Sequence, residues 1–166
     1  FLEELGKREE KIKVHIEIGT GMGRTGINPA RTIEYITKVK SYSNIVVEGI
    51  YTHLSSADID LEYTSKQLAS FERAVNDAKL LVDLKYIHSS ASNGILNFPN
   101  SYYNLVRPGI ILYGYESCCG ACQKLDLKPI CKFKSKITYL KEVEANTSIG
   151  YSRSYVTNRK TKVATI

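Results

Sequence analysis

The chain has 166 residues, 43% of them hydrophobic, and only four prolines, so it can bury a core of its own and is no disordered segment. No window approaches 18 consecutive apolar residues, so no membrane segment is expected here. The net charge of +6 is dispersed in pairs such as Lys7–Arg8 and Arg159–Lys160, with no basic helix or aromatic-interleaved groove, which argues against nucleic acid as a partner.

The first ten residues read as the tail of a helix. Ile12, Val14, Ile16 and Ile18 then alternate with Lys13, His15 and Glu17, the period of a strand buried on one face. A glycine-rich turn, Gly19 to Gly26, leads to Asn28 and Pro29, placed as N-cap and first residue of a helix reaching Lys40, with Ile33, Ile36 and Val39 as its buried stripe. A second strand is predicted over Ile45–Tyr51. A long helix follows over Leu61–Lys79, with Leu61, Leu68, Phe71, Val75 and Ala78 at helical spacing. Leu84–His88 is the third strand, followed by a helical turn from Ser92. The apolar run Ile110–Tyr113, entered through Arg107, Pro108 and Gly109, is predicted as a fourth, buried strand.

Strands alternating with helices define an α/β protein with parallel strands. Beyond Gly114 the texture changes. An irregular linker carries Cys118, Cys119 and Cys122, and from residue 127 onward only strand patterns occur: a long one over Pro129–Glu144, then Ile149–Tyr155 and Lys162–Ile166. The expected division is 1–115 for the α/β part, 116–126 for the linker and 127–166 for the beginning of a β-rich domain. The clustered cysteines lack the second pair of a zinc site and suit a reduced, cytoplasmic protein. Both ends fall inside regular elements, so a piece of a longer protein is expected.

Chemistry-bearing residues sit where strands end. Arg24 follows the first, His53 the second, His88 closes the third, and Arg107 precedes the expected fourth. In parallel α/β folds this is where ligands bind. Ser92, Asn93 and Gly94 open a helical turn able to receive an anion, with Gly109 and Ile110 adding backbone N–H donors. There is no metalloprotease helix, nucleophile elbow or kinase-type phosphate loop.

The successive motifs Thr20–Gly21–Met22–Gly23–Arg24–Thr25–Gly26, Thr52–His53, Val106–Arg107–Pro108–Gly109–Ile110, Leu112–Tyr113–Gly114, Leu127–Lys128–Pro129 and Ile149–Gly150–Tyr151–Ser152 resemble those of fold-type III alanine racemases. The resemblance implies the C-terminal half of a TIM-like (β/α)8 barrel that binds pyridoxal 5'-phosphate, followed by the start of a β-domain. It implies a homodimer whose active sites are completed across the interface, a small amino-acid substrate, and D-alanine for peptidoglycan as the product.

Residue by residue, Arg107 resembles the arginine on the pyridine nitrogen, and His88 the histidine that orients it. Tyr51 and His53 resemble the residues lining the ring and the second base, and the resemblance makes His53 catalytic together with Arg107 and Tyr151. Ser92, Gly109 and Ile110 resemble the phosphate cradle. Arg24 resembles the arginine near the phenolic oxygen and the substrate carboxylate, and Tyr151 the catalytic tyrosine offered to the partner subunit. Because a guanidinium does not surrender its proton, the ring nitrogen would stay unprotonated and the ring a weaker electron sink, favouring return of the proton to Cα. The lysine that attaches the cofactor would lie upstream of residue 1.

Three positions depart from the pattern: Glu17 where a carbamylated lysine is usual, Gly19 for aspartate and Ala91 for asparagine. Glu17 is expected to offer its carboxylate to Arg24. The last two, with the run Gly94–Pro99, also resemble serine racemases of the vancomycin-resistance type. The remaining alternative is a non-catalytic barrel protein binding the same cofactor.

Overall fold

Three parallel strands, β1 (Ile12–Glu17), β2 (Ile45–Tyr51) and β3 (Tyr86–His88), form a sheet in the order β1-β2-β3 in the computed structural model, which describes residues 2–115 and 125–166. A short helix α1 (Leu2–Gly6) precedes β1; α2 (Thr32–Lys40) joins β1 to β2, and α3 (Leu61–Lys79) joins β2 to β3. The chain divides into two units, residues 1–130 and 131–166.

Local chemistry explains the helix starts. The Asn28 side chain accepts from the Ala30 amide at 3.0 Å and Pro29 opens a single 3-10 turn, after which α2 begins at Thr32. Asp60 caps α3 by accepting from the Tyr63 amide at 2.8 Å. Two details of the expected stripes are corrected. In α2 the buried positions are Thr32, Ile36 and Val39, while Ile33 is exposed. In α3 they are Thr64, Gln67, Phe71, Ala74, Val75 and Ala78, while Leu61 is exposed. In both helices the face pressed on the sheet includes small or polar residues that hydropathy alone passes over. Ile36, Phe71, Ala74, Val75 and Ala78 pack with Ile18, Ile50 and Ile87 into the main core.

One irregularity sets which residues face the site. β1 and β2 run in register from Ile12 opposite Ile45 to Val14 opposite Val47; the next pair is His15 opposite Gly49, leaving Glu48 as an extra residue. This bulge shifts the alternation of β2 by one. Ile45 and Val47 are therefore buried before it, Ile50 is buried after it, and Gly49 and Tyr51 fall on the opposite face.

The glycine-rich turn is pinned back on β1 by Gly19 N–H to Ile27 O (2.8 Å) and Ile27 N–H to Glu17 O (2.9 Å). Gly26 makes this possible: its φ is +98°, and a Cβ there would stand 2.6 Å from the Gly19 nitrogen.

The expected fourth strand is not one. Arg107 makes a single parallel bridge to Ala91, and Ile110–Tyr113 is a 3-10 turn with Ile110, Leu112 and Tyr113 exposed. Its amides are turned inward instead of laddering: the hydroxyl of Ser92, first residue of the short helix α4 (Ser92–Asn97), accepts from Gly109 N–H at 3.0 Å and Ile111 N–H at 3.4 Å.

In the second unit, β4 (Tyr139–Val143) pairs antiparallel with β7 (Thr161–Thr165), and β5 (Ser148–Ile149) with β6 (Tyr155–Val156). The long strand expected over Pro129–Glu144 is thus confined to its last third, because β7 offers a ladder for only those residues. Buried Thr157 ties the unit together, donating to Glu144 O at 2.8 Å and accepting from Thr147 N–H at 2.9 Å. Of the cysteines, Cys131 is a free, exposed thiol, and Cys118, Cys119 and Cys122 lie outside the described residues. No helix among the described residues is long and apolar enough to cross a membrane.

Candidate active site

The bulged register lays two rows of side chains across the carboxyl end of the sheet. Glu17, Tyr51 and His88, the last residues of β1, β2 and β3, are paired in one row, and His15, Gly49 and Tyr86 in the row below. In the first row the Tyr51 hydroxyl donates to Glu17 Oε2 at 3.1 Å, and the Tyr51 ring stacks on His88 with centroids 4.9 Å apart and planes 8° off parallel. Glu17 also accepts from the Thr25 hydroxyl at 2.6 Å. Its carboxylate is therefore engaged by Tyr51 and Thr25 rather than by Arg24, which corrects the expected pairing.

Arg107 reaches over this row. Its Nη1 donates to His88 Nδ1, its Nη2 donates to the carbonyls of Thr52 (2.9 Å) and Ser89 (3.2 Å), and Nη2 stands 3.5 Å from His53 Nδ1. The guanidinium lies 5.3 Å from the Tyr51 ring centre. Every one of these partners is neutral. Burial draws the Arg107 pKa below its ordinary value, against the opposing pull of Tyr51 and Glu17. A guanidinium has five N–H groups. Three of them are directed at His88, Thr52 and Ser89, which leaves two, the second on Nη1 and the one on Nε.

The histidines respond to the cation. Burial first, then Arg107 and His15, push His88 down to about 4, so it is neutral at physiological pH. Burial, Arg107 and Arg24 lower His53, opposed by Glu17. Burial, then the hydrogen bond to Glu17, raise Tyr51, opposed by Arg107 and Arg24.

His53, Asp58, Ser92, Gly94, Gly109 and Ile110 line a cleft of about 300 Å³ beside Arg107. Ser92 is buried, with Gly109 and Ile111 rather than Ile110 supplying the amides on its hydroxyl. Arg24 projects from the glycine-rich turn with an exposed side chain, close enough to act electrostatically on Tyr51 and His53. Tyr151 belongs to the second unit, in a 3-10 turn after Gly150, and its side chain is fully exposed.

Sequence reasoning missed Gln67. From the buried face of α3 its Oε1 accepts from the Ser55 amide (3.0 Å) and hydroxyl (3.1 Å), and its Nε2 donates to Thr20 Oγ1 (3.3 Å) and His53 O (3.4 Å), tying down the loop that carries His53. A glutamine within an otherwise small and apolar helical stripe was the available signal.

Three parallel strands joined by helices define an α/β protein, with Arg107, the histidines and a cluster of small residues gathered at the carboxyl edge of its sheet, where ligands bind in such folds. Comparison with known proteins narrows the class. Residues 1–117 match the family described as "Alanine racemase, N-terminal domain" and residues 130–166 that described as "Alanine racemase, C-terminal domain". An alanine racemase of Halothermothrix orenii is 44% identical over 93% of the chain, and one of Methanococcus maripaludis 38% identical over 99%. Among solved structures, alanine racemase of Clostridium difficile 630 superposes with a TM-score of 0.73 at 34% identity, covering 98% of this chain. The chain spans about two-fifths of these proteins, 41%, 44% and 43% of their respective lengths. It belongs to the alanine racemase family.

Proposed function

We propose that this chain is part of a pyridoxal-phosphate-dependent alanine racemase, an isomerase that interconverts L- and D-alanine and supplies D-alanine for peptidoglycan. Residues 1–115 would be the C-terminal half of a TIM-like (β/α)8 barrel, 116–126 a linker and 127–166 the start of the β-domain. The parallel β1-β2-β3 sheet and the two successive family matches support that division.

The observation that carries the reading is Arg107: a half-buried cation held by neutral acceptors, with donor capacity left over beside a cleft. Such a donor set fits an aromatic nitrogen that accepts and must not be protonated. Pyridoxal phosphate, when bound, supplies the electron sink that acidifies the Cα–H of an amino acid. Arg107 would hold its ring nitrogen, with His88 orienting the guanidinium. Tyr51 and His53 would line the ring, and Ser92 with the Gly109 and Ile110 backbone would hold the phosphate. Arg24, with its exposed cationic head, would take the substrate carboxylate.

Racemisation requires a proton-transfer group on each face of Cα. Tyr151, exposed on the second unit, would serve one face from within a partner subunit's site, making the enzyme a homodimer. A lysine outside this chain would serve the other and attach the cofactor. A cytoplasmic location fits the free thiol of Cys131 and the product.

Serine as substrate is not favoured, since the related proteins reported above are named alanine racemases. The test is to purify the full-length protein with pyridoxal phosphate and follow inversion of L-alanine and L-serine by chiral chromatography. Rapid inversion of alanine and slow inversion of serine are expected. Cofactor binding without inversion of either would overturn the enzyme assignment in favour of a non-catalytic barrel.

A further inference from the structure

We propose that His15, laid over Gly49, is a positioning residue for the same site: its imidazole accepts a hydrogen bond from His88 and locks His88 in the one tautomer able to accept from Arg107. The inference rests on the reading of Arg107 given above and extends it two side chains further from the ligand.

The direction of the chain follows from donor counting. Arg107 has donors and no acceptor, so a contact between its Nη1 and His88 Nδ1 requires a lone pair on that nitrogen. A neutral imidazole with a bare Nδ1 carries its proton on Nε2. That nitrogen stands 2.8 Å from His15 Nδ1, which must then be the acceptor. The three side chains form a single line of donation, from Arg107 to His88 to His15. With the opposite tautomer, an imidazole N–H would confront a guanidinium N–H, and the contact through which His88 holds the Arg107 guanidinium would be lost.

The backbone is shaped for this contact. His15 is on β1 and His88 on β3, with β2 between them. A side chain on the intervening strand would block the path, and the bulge at Glu48 puts a glycine there. A Cβ on Gly49 would stand 2.9 Å from both Cε1 and Nδ1 of His15 and 2.8 Å from the Tyr86 carbonyl oxygen. Over that gap the His15 ring also meets Tyr86, with centroids 5.5 Å apart. Bulge, glycine and histidine thus act as one feature, and none of the three contacts the cleft.

The test is imidazole nitrogen-proton correlation NMR on the full-length protein, with His88 assigned by the signal lost in His88→Asn. The wild type is expected to carry the His88 proton on Nε2, with Nδ1 bare. His15→Leu, which leaves that N–H without a partner, is expected to show both tautomers of His88 and to lower racemisation about tenfold or more, with a larger share of transamination. His15→Asn, which keeps an acceptor near the Nδ1 position, is expected to retain the single tautomer and most of the activity. A wild-type proton on His88 Nδ1, or a single unchanged tautomer in His15→Leu, overturns the inference. The wild-type tautomer is read without His15→Leu, so it decides even if that variant fails to fold. A protein with the expected tautomer but neither cofactor binding nor racemisation keeps the hydrogen-bonded line and overturns the function on which it rests. One that racemises with the proton on Nδ1 does the reverse.

Discussion

Replacing His88 with asparagine should flatten the acid limb of the stability curve. In the folded protein His88 stays unprotonated down to about 4, whereas its ordinary value is 6.5. Between those values the unfolded chain binds more protons than the folded one, so stability rises with pH across the window. The contribution is complete above pH 6.5 and lost as pH falls towards 4. The separation corresponds to about 3 kcal/mol at roughly 1.4 kcal/mol per pH unit, and with His88 only 5% exposed, solvent screens little of it. The assay is urea denaturation of the cofactor-free full-length protein and of His88→Asn at several pH values between about 7.5 and 4.5. The offset between the two at high pH reflects the hydrogen bonds to Arg107 and His15; the informative quantity is its change with pH. The wild-type advantage should shrink by about 2–3 kcal/mol over that range. His53, shifted in the same direction, is present in both proteins and cancels. A difference constant to within about 0.5 kcal/mol would refute the reasoning, because it would mean that Arg107 and burial do not hold the proton off His88.

Ser92→Ala removes the acceptor shared by the Gly109 and Ile111 amides, and pyridoxal phosphate affinity of the full-length protein should fall about tenfold or more, read by absorbance titration. Gln67→Leu leaves the Ser55 amide and His53 carbonyl without this partner; a loss of about 1–3 kcal/mol is expected from urea denaturation, with a rise in KM as the His53 loop loosens. Gly26→Ala forces a Cβ to 2.6 Å from the Gly19 nitrogen at a φ of +98°; about 2 kcal/mol or more should be lost, and substrate binding weakened through the displaced Arg24, both measured on one preparation.

Much of the fold was legible because its signals are local. β2 and α3 occupy the predicted spans, since a dense run of Ile and Val and a helical stripe following Asp60 leave few alternatives. The run Ile110–Tyr113 misled for the complementary reason. Four apolar residues in a row have no period, and their conformation is decided by a hydroxyl 18 residues upstream, at Ser92. The second unit's long strand was overestimated because a strand extends only as far as its partner, which pattern cannot supply. At the site, cationic and imidazole residues at strand ends drew attention to Arg24, His53, His88 and Arg107 without alignment, whereas Tyr51 entered only through the family resemblance. What holds them did not announce itself: the acceptors for Nη2 are main-chain carbonyls of Thr52 and Ser89, which any residue type could provide.

The bulge at Glu48 matters most of all, and nothing in Val46–Val47–Glu48–Gly49 advertises it. Continued without it, the alternation that buries Ile45 and Val47 would send Gly49 and Tyr51 into the core and expose Ile50. The extra residue instead keeps Ile50 with Ile18 and Phe71 and turns Tyr51 up between Glu17 and His88. It also brings the one residue without a side chain opposite His15. A packing requirement on one face of the sheet and a hydrogen-bonding requirement on the other are met by the same insertion. That is why the polar row at the strand ends can be assembled without sacrificing the core beneath it.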